Sequence, residues 1–176
     1  MGNTMGRGVS LVFCAIFAVA FGVGGYWAGL RPLAETALAA WTVRPWQPVP
    51  AQVLDAQLKK HTSSEGGATY QVVARYRYSV AGQTYEGQRV GLDLRSGADN
   101  VGDWQTQWHR NLRQALERGE PITAWVNPQA PAQALLDRSI RWRLQIFRLP
   151  FALVFTGVGV TAAWMFLRIL RRPQDD

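Results

Sequence analysis

The sequence predicts an α+β membrane protein, in which two transmembrane helices flank a small antiparallel β-rich domain with one amphipathic helix. Three observations lead to this fold class. Two apolar segments without charges lie near the chain ends, at residues 9–30 and 149–167. Between them, residues 69–87 alternate apolar and polar side chains around a tight turn, which is typical of a β-hairpin. Residues 104–119 repeat Trp and Leu at four-residue spacing, which is typical of an amphipathic helix.

Charge and cysteine content narrow the classes of partner. The 176 residues carry a formal net charge of +7, but the cations are spread along the chain without a dense run. Because membrane segments and anionic lipid headgroups account for this charge, we expect a lipid bilayer and no nucleic acid as partner. The single cysteine, Cys14, excludes an internal disulfide and a cysteine-based metal site. Phe13 before it disfavours a lipoprotein cleavage site.

The first apolar segment, residues 9–30, is bounded by Arg7 and Arg31. It matches the roughly 20 apolar residues that a helix needs to cross the hydrocarbon core. Tyr26 and Trp27 lie near its end, where aromatic rings favour the membrane interface. The alternative is a cleaved signal peptide, but the apolar stretch is longer than such peptides normally carry. The sequence therefore favours a retained membrane anchor.

The second apolar segment, residues 149–167, is bounded by Arg148 and Arg168, with Trp164 near one end. Both segments carry small residues at helical spacing: Ala18, Gly22, Gly25 and Gly29 in the first, Gly159 and Ala163 in the second. Such residues let helix backbones approach closely. They predict either packing of the two helices together or a homodimer through Gly25, Gly29, Gly159 and Ala163. The alternative is that Gly and Ala are simply common in membrane helices.

These patterns divide the chain into an N-terminal tail (1–8), transmembrane helix 1 (9–30), a juxtamembrane connector (31–50), the β-rich domain (51–137), a basic amphipathic juxtamembrane segment (138–148), transmembrane helix 2 (149–167) and a C-terminal tail (168–176). Residues 32–41 either continue the first helix or lie along the membrane surface. The motif RPWQPVP follows, and its three prolines predict a stiff connector that breaks any helix.

Strands are predicted at the start of the domain. A first strand is predicted from Ala51. One of its faces carries Val53, Asp55 and Gln57, and the other carries Leu54, Ala56 and Leu58. After the polar loop TSSEGGA, a second strand places one set on a single face: Tyr70, Val72, Ala74, Tyr76, Tyr78 and Val80. A tight turn at residues 81–83 then lets residues 84–90 pair back. We expect the tyrosine row to lie in the core; the alternative is a face that stacks on a sugar or a base.

A loop with several oxygen-bearing side chains precedes the amphipathic helix. Its Asp93, Asp99, Asn100 and Asp103 do not match the spacing of a regular calcium loop, so we expect a polar loop in which Asp103 caps the helix. The helix carries an apolar stripe: Trp104, Trp108, Leu112 and Leu116. We expect this stripe to pack against the sheet; the alternative is insertion into the membrane interface.

A short strand at residues 122–126 and a basic segment complete the domain. In the segment, one predicted helical face carries Arg138, Arg141, Gln145 and Arg148, and the other carries Leu136, Ile140, Leu144 and Phe147. A basic amphipathic helix next to a span suits the lipid headgroup region. The alternative is that the second transmembrane helix continues through it.

The order of several short motifs carries a resemblance to a known family. They are Tyr76, Tyr78, Val80, Gly82, Tyr85 and Gly87 in the hairpin, Val126, Asn127 and Pro128 after the short strand, and Pro131, Ala134, Leu135 and Leu136 before the second span. From about residue 41 to 165 the chain resembles the membrane family called domain of unknown function 3592. The resemblance implies a small β-rich domain between two membrane helices, and no known activity or site residue comes with it.

No stretch carries a catalytic, cofactor or metal-binding motif, so we predict a non-enzyme with no catalytic, cofactor-binding or metal-ligating residue and no cofactor. Neither His61 nor His109 has a His or Cys nearby. The favoured hypothesis is a binding or assembly module that presents its β-domain at the membrane surface to a protein partner. The alternative is a membrane-bound hydrolase or lipid-handling enzyme that uses His109 with the Asp93–Asp103 loop.

Arginines near the two spans bear on orientation. Four lie on the tail side, at positions 7, 168, 171 and 172, and six on the loop side, at 31, 44, 138, 141, 143 and 148. A literal count favours a cytoplasmic loop, but long domains translocate largely regardless of charge. The arginines directly after the second span also disfavour translocation of that end across the membrane. We therefore expect a multi-pass protein of the bacterial inner (plasma) membrane with both termini in the cytoplasm.

Overall fold

The computed structural model describes residues 2–62, 64, 66–93 and 98–171, with side chains from residue 6 onward. Its elements in chain order are α1 (Gly2–Gly25), a π-helical turn (Tyr26–Leu30), α2 (Arg31–Thr42), β1 (Gln47–Thr62), β2 (Ala68–Val80), β3 (Gln83–Gly87), α3 (Trp104–Arg118), β4 (Ile122–Val126), β5 (Ala134–Leu135) and α4 (Trp142–Arg171). The chain divides into a helical unit, made of the residues up to Ala34 and from Gln145 on, and a domain unit, Glu35–Leu144. The predicted α+β class is confirmed.

The domain unit is built on one antiparallel sheet of five strands in the order β3-β2-β1-β4-β5. Its long central strand, β1, pairs with β4 over residues 47–51 and with β2 from residue 51 to 62. The connector prediction is therefore wrong at its end, because Pro48 and Pro50 belong to β1. They are tolerated because they lie two residues apart, so both ring nitrogens face the edge of β1 that has no strand neighbour there.

A β-bulge alters the predicted alternation in β1. The register with β2 shifts between Val53 and Asp55, so Leu54 has no direct partner. An extra residue reverses the side-chain alternation beyond it, because a strand has a period of two. As a result Val53 and Ala56, which were predicted on opposite faces, are both buried in the same core cluster.

The predicted β2–β3 hairpin is confirmed. Its turn has positive φ at two successive residues, Ala81 (49°) and Gly82 (81°), the combination that suits the twist of a two-residue hairpin. The returning strand ends at Gly87 rather than Val90. The reason lies in the hydrogen bonds that follow: the carbonyl oxygens of Arg89 and Val90 accept from the backbone N–H of Leu136 and Asp137, beyond β5.

The main core lies between the sheet and α3. Tyr76 and Tyr78 are buried in it, as are Leu112 and Ala115 of the helix, while Trp104 and Trp108 pack against its margin. The expectation that the Trp stripe packs on the core is confirmed, and so is that for the tyrosine row from Val72 to Val80, whereas Tyr70 is half-buried outside the core cluster. Gly119 ends α3 with a φ of 66°, and its N–H bonds back to the helix.

Two expectations around α3 and α4 are wrong. Asp103 occupies the N-terminal cap position, but its side chain makes no capping hydrogen bond; its carboxylate instead accepts from the amide of Gln107. Residues 138–141 are not helical, since α4 begins at Trp142, and the predicted basic face of the 138–148 segment therefore does not form. The short strand β5 was not predicted.

The helical unit pairs α1 with α4 through small residues. A Cβ built on Gly159 would lie 2.6 Å from the backbone nitrogen of Gly22, and one on Gly25 would lie 2.7 Å from that of Thr156. The guanidinium of Arg7 donates to the carbonyl of Ile169 at 2.9 Å, so the two helices run in opposite directions. Packing of the two helices together is thus confirmed, whereas a homodimer through Gly25, Gly29, Gly159 and Ala163 stays a prediction.

By length and composition, Gly6–Thr42 and Trp142–Arg171 are helices long and apolar enough to cross a membrane. They contain the predicted spans 9–30 and 149–167. Little of their most apolar windows is buried, 11% and 6% respectively. In the predicted C-terminal tail, α4 continues to Arg171, and residues 172–176 lie outside the described part of the chain.

Candidate functional site

A buried ion-pair cluster lies directly before α4. We call Arg141, Asp93 and Asp99 the Arg141 cluster. The guanidinium of Arg141 donates to both carboxylate oxygens of Asp99, from Nη2 to Oδ1 at 2.8 Å and from Nη1 to Oδ2 at 3.0 Å. Its side chain is only 9% exposed and also lies over the ring of Trp104, with Cζ 4.4 Å from the centroid. A bidentate contact of this kind is the strongest pairing that an arginine makes with a carboxylate.

Asp99 is held from several sides. Gln105, which is buried on α3, donates from Nε2 to Asp99 Oδ2 at 2.7 Å and accepts from the backbone N–H of Val72 at 2.8 Å. Burial alone raises the pKa of Asp99, but the hydrogen bonds from Arg141 and Gln105 together with the charge of Arg141 outweigh it and lower the pKa below its usual range. An Asp in this state is a poor proton acceptor, and it fastens α3 and β2 to the segment before α4.

Asp93 and Asp137 extend these connections. The hydroxyl of Thr36, on α2, donates to Asp93 Oδ1 at 3.2 Å, and Arg141 Nη1 lies 3.9 Å from Asp93 Oδ2. Asp137 Oδ2 accepts from the indole N–H groups of Trp104 at 2.7 Å and Trp108 at 3.1 Å. The cluster and Asp137 therefore tie the middle of α2 and the first turns of α3 to the chain that leads into α4.

The residues of the enzyme hypothesis lie as follows. His109 is half-buried on α3, and Asp93 and Asp99 are both engaged by Arg141. Residues 94–97 of the Asp93–Asp103 loop lie outside the described part of the chain. Among the residues that the structure describes, no group of three or more His, Cys, Asp or Glu side chains is arranged to hold a metal ion. A role of His109 in catalysis stays a prediction.

The second feature is a groove of about 730 Å³ in the domain unit. It is lined by residues from three segments that are distant in sequence, within 35–46, 86–89 and 132–134. The first segment is α2 and the turn after it, the second is the end of β3, and the third precedes β5. Because β3 and β5 are the two outer strands of the sheet, the groove lies where the two sheet edges approach each other beneath α2.

The floor of the groove is apolar and firmly held. Val43 and Trp46 are buried in a second core cluster with Leu92 and Leu135. Leu38 lies beside them on α2, yet 65% of its surface is exposed. A large apolar side chain that is exposed beside a concave apolar surface is typical of a binding site.

Two tyrosines fix the walls of the groove to β2. The hydroxyl of Tyr76 donates to the carbonyl of Arg89 at 2.9 Å, and that of Tyr78 donates to the carbonyl of Pro131 at 2.8 Å. Burial raises the pKa of Tyr76 and of Tyr78, so both remain neutral donors at ordinary pH. Gly87 permits this arrangement, since a Cβ there would lie 2.5 Å from the Tyr76 ring.

The rim of the groove carries charged residues. Glu35 and Glu86 contribute carboxylates, and Glu86 makes a half-exposed ion pair with Arg77 at 2.9 Å. The guanidinium of Arg89 is occupied internally, because it donates to the carbonyls of Gly91 at 3.0 Å and Leu92 at 2.6 Å. Burial lowers the pKa of Arg89, although its electrostatic interactions with Tyr76 and Asp93 oppose that shift. The rim therefore combines the carboxylates of Glu35 and Glu86 with the guanidinium of Arg89, and Glu86 is already paired with Arg77.

Sequence reasoning missed both features. Arg141 was assigned to a basic helical face, whereas it is the centre of the ion-pair cluster. The groove had no sequence signal, because its three segments are brought together only by the fold. The tyrosine row was the one indication: alternate tyrosines in a core must bring their hydroxyls to acceptors, and these acceptors are the carbonyls at the walls of the groove.

Comparison with known proteins identifies a family. A family model described as "Domain of unknown function (DUF3592)" matches residues 49–141. The match covers β1 from residue 49 on, β2 to β5, α3 and the whole Arg141 cluster, and it includes neither of the two apolar segments. No curated protein matches the chain.

Proposed function

The chain belongs to the DUF3592 family, and from that premise we propose that it is an integral membrane protein whose domain unit is a non-enzymatic binding or assembly module at the membrane surface. Its partners are the lipid bilayer and another protein. The family description brings no activity, so the proposal depends on the chain itself.

One observation carries the membrane part of this proposal: the apolar side chains of α1 and α4 are mostly exposed. Phe13 and Ile16 on α1 are 58% and 60% exposed, and Leu153 and Val160 on α4 are exposed to a similar degree. Leaving such a side chain in water instead of burying it forgoes about 1.5–3 kcal/mol. A bilayer removes that penalty for every exposed residue along both helices.

The domain unit supports binding over catalysis. Its buried charges are held in fixed pairs around Arg141, which is what a rigid scaffold needs. Its concave apolar surface, the groove, lies apart from that cluster and carries exposed Leu38. A rigid scaffold with an open apolar groove fits recognition of another molecule.

For location, we propose a multi-pass protein of the bacterial inner membrane with both termini in the cytoplasm and the domain unit on the other side. Arg168 and Arg171 close α4 and favour retention of that end in the cytoplasm. The long domain between the spans translocates largely regardless of its own charges.

The experiment uses the single cysteine. Cys14 is replaced by Ser, Ser64 in the loop between β1 and β2 by Cys, and whole cells are treated with a membrane-impermeant maleimide. Labelling without lysis is expected, and chemical crosslinking in the same cells is expected to yield one reproducible partner. Labelling only after lysis would overturn the orientation, and the absence of any reproducible crosslink would overturn the binding role.

A further inference from the structure

The long strand β1 is paired along only part of one edge. On that side β4 pairs with residues 47–51, and beyond Ala51 no strand among the described residues pairs there, although β1 continues to Thr62. On its other side β2 accompanies β1 from Ala51 to Thr62. We call the free stretch, residues 52–62, the β1 edge. An open sheet edge presents a row of backbone N–H and C=O groups that can take up a further strand.

We propose that the β1 edge pairs with the β1 edge of a second copy of the chain. The two strands run antiparallel and are centred on Gln57, so that two five-stranded sheets join into one. This inference goes beyond the proposed function and does not rest on it, because it concerns the assembly of the chain with itself.

The length of the β1 edge sets the register of this pairing. A two-fold symmetric pair of antiparallel strands places each residue opposite the one equally far from the centre in the other copy. The β1 edge begins directly after Ala51, the last residue that β4 pairs, and ends with β1 at Thr62. Its midpoint is Gln57. Pairing about Gln57 therefore aligns the whole edge of both copies and stops where β4 occupies this side.

The charges along the β1 edge agree with the same register. It places Asp55 of one copy opposite Lys59 of the other, twice by symmetry, and opposite charges directly across a strand pair stabilise it. Within the described part of the chain neither side chain makes an ion pair. Asp55 lies beside Arg75 of β2 in the register, and its Oδ2 accepts a hydrogen bond from Nε2 of Gln57 at 2.9 Å. Both carboxylate and ammonium are therefore available to the second copy.

The opposite face of the sheet provides an apolar match. In this register Ala56 of one copy lies opposite Leu58 of the other. Ala56 is buried in the main core, and Leu58, which is half-buried, packs against that core. A second copy covers the remaining exposed surface of Leu58 and removes it from water. The apolar layer beneath the sheet thus continues from one copy into the next.

Two features of the β1 edge limit the strength of the contact. Lysine at a sheet edge ordinarily discourages pairing, but Lys59 here faces a carboxylate of the second copy. The bulge at Leu54 lies opposite Lys60 and confines regular pairing to residues 55–59. A contact of this length buries a small area, so the dimer is reversible.

A cysteine at the centre of the pairing tests the register. The full-length Cys14→Ser, Gln57→Cys chain is oxidised with copper phenanthroline in detergent micelles. Across the two-fold axis the two Cα atoms at position 57 are about 4.5–5.5 Å apart, which a disulfide spans. Thr62→Cys is the matched control, because its two copies lie about 30 Å apart in this register. We expect a disulfide-linked dimer only at position 57. No dimer there, or equal yields at both positions, overturns the inference.

Charge reversal tests the pairing of Asp55 with Lys59. Sedimentation equilibrium of the Cys14→Ser chain in micelles measures the dissociation constant of the dimer. Lys59→Asp should raise this constant at least about tenfold, because it faces Asp55 with a like charge. Adding Asp55→Lys to that variant should return the constant to within about threefold of its original value. Lys60→Asp is the matched control, since it makes the same charge change opposite Leu54, and it should change the constant by less than about twofold.

Circular dichroism establishes that each variant is folded. If the variant with both changes does not fold, Asp55→Asn replaces it, and its dissociation constant should rise about threefold. A monomeric unaltered chain overturns the inference. An unchanged dissociation constant in Lys59→Asp, or an equal rise in Lys60→Asp, would assign the dimer to another surface and also overturn it. None of these outcomes bears on the binding of another protein, so the proposed function is tested separately.

Discussion

The helical unit and the domain unit bury their apolar residues in opposite ways. In the domain unit, Tyr76, Leu112 and Leu135 are fully enclosed, and the polar tip of Tyr76 reaches a carbonyl. In the helical unit, α1 meets α4 through small residues such as Gly22 and Gly159, and many large apolar side chains, such as Phe13 and Leu153, are exposed. The difference is the one we expect if, as proposed, the domain unit excludes water from its own interior while the helical unit lies in an apolar medium.

Charges follow the same division. The charged groups enclosed in the domain unit are paired within it, with Arg141 between Asp99 and Asp93. Among the described residues of the helical unit, the arginines lie towards the ends of the apolar segments, where Arg168 is over the ring of Trp164 and Arg31 over that of Trp27. Arginines and tryptophans at the ends of a span are typical of the membrane interface.

The largest effect is expected from Arg141→Met. This change leaves Asp99 and Asp93 enclosed without their cation and should lower the free energy of unfolding by about 3–5 kcal/mol. Urea denaturation of the purified chain in micelles, followed by tryptophan fluorescence, measures it. The control is Arg77→Met, which breaks a half-exposed ion pair and should cost at most about 1 kcal/mol. Equal losses in the two variants would show that the Arg141 cluster does not hold the domain together.

A second large effect is expected where the two helices touch. Gly159→Leu places a side chain against the backbone of Gly22 and should weaken the pairing of α1 and α4 by about 1–3 kcal/mol. Energy transfer between dyes on Ser10→Cys and Leu167→Cys, in a Cys14→Ser chain titrated with SDS, reports this pairing. Gly157→Leu is the matched control, since a Cβ there meets nothing within 4 Å. A similar loss in both variants contradicts the packing described.

Acid should lower the free energy of unfolding of the domain unit gradually as the pH falls. The pKa of Asp99 is lower in the folded chain than its unfolded value of about 3.9, so its contribution is present above that value and is lost as the pH falls through the folded pKa. We expect the free energy of unfolding to decline below about pH 5, and Asp99→Asn to make the decline shallower. Urea denaturation at a series of pH values tests this. An unchanged slope in Asp99→Asn would assign the acid sensitivity to other groups.

A smaller effect is expected from Tyr76→Phe. It removes the hydrogen bond to the carbonyl of Arg89 and should cost about 1 kcal/mol while keeping the ring in the core. The same denaturation assay measures it, with Tyr85→Phe as control, because the Tyr85 hydroxyl bonds to the exposed side chain of Gln83. An equal loss of unfolding free energy in Tyr85→Phe and Tyr76→Phe would show that the hydrogen bond of Tyr76 to the groove wall stabilises the domain no more than an exposed one does.

The smallest effect is expected from His109→Ala. His109 is half-buried on α3, and its truncation should change the free energy of unfolding by less than about 1 kcal/mol. The variant should also keep the crosslinked partner that the unaltered chain yields in cells. Loss of function in a chain that remains folded and membrane-bound would instead favour the hydrolase or lipid-handling alternative.

Local patterns predicted much of the fold. The β2–β3 hairpin, the Trp stripe of α3, strand β4 and the two apolar helices all follow from periodicity and turn residues, which act over a few neighbouring positions. The errors in β1 have a local cause that periodicity does not carry: one extra residue at Leu54 reverses the alternation beyond it. The two prolines of β1 were not predicted as strand residues, because the sequence does not show that one edge of this strand has no neighbour there.

The candidate sites depend on contacts between distant residues. Arg141 meets Asp99 across 42 positions, and nothing near Arg141 in sequence distinguishes an ion-pair partner from a solvated arginine on a helix. The groove joins residues of α2, β3 and the segment before β5, and the short β5 itself carries too few residues for a period to be detected. Such features follow from the arrangement of the sheet and not from any one segment.

We propose that lipid surrounds the helical unit while the domain unit is in water. The most direct test compares two single-cysteine chains, both Cys14→Ser, in isolated membranes treated with N-ethylmaleimide. Ser64→Cys lies in a domain loop, and Ile16→Cys replaces a side chain that is 60% exposed on α1. We predict rapid labelling at position 64 and labelling at position 16 only after denaturation in SDS, because the protein itself leaves Ile16 uncovered and lipid must shield it. Comparable labelling rates at both positions in intact membranes would contradict the claim.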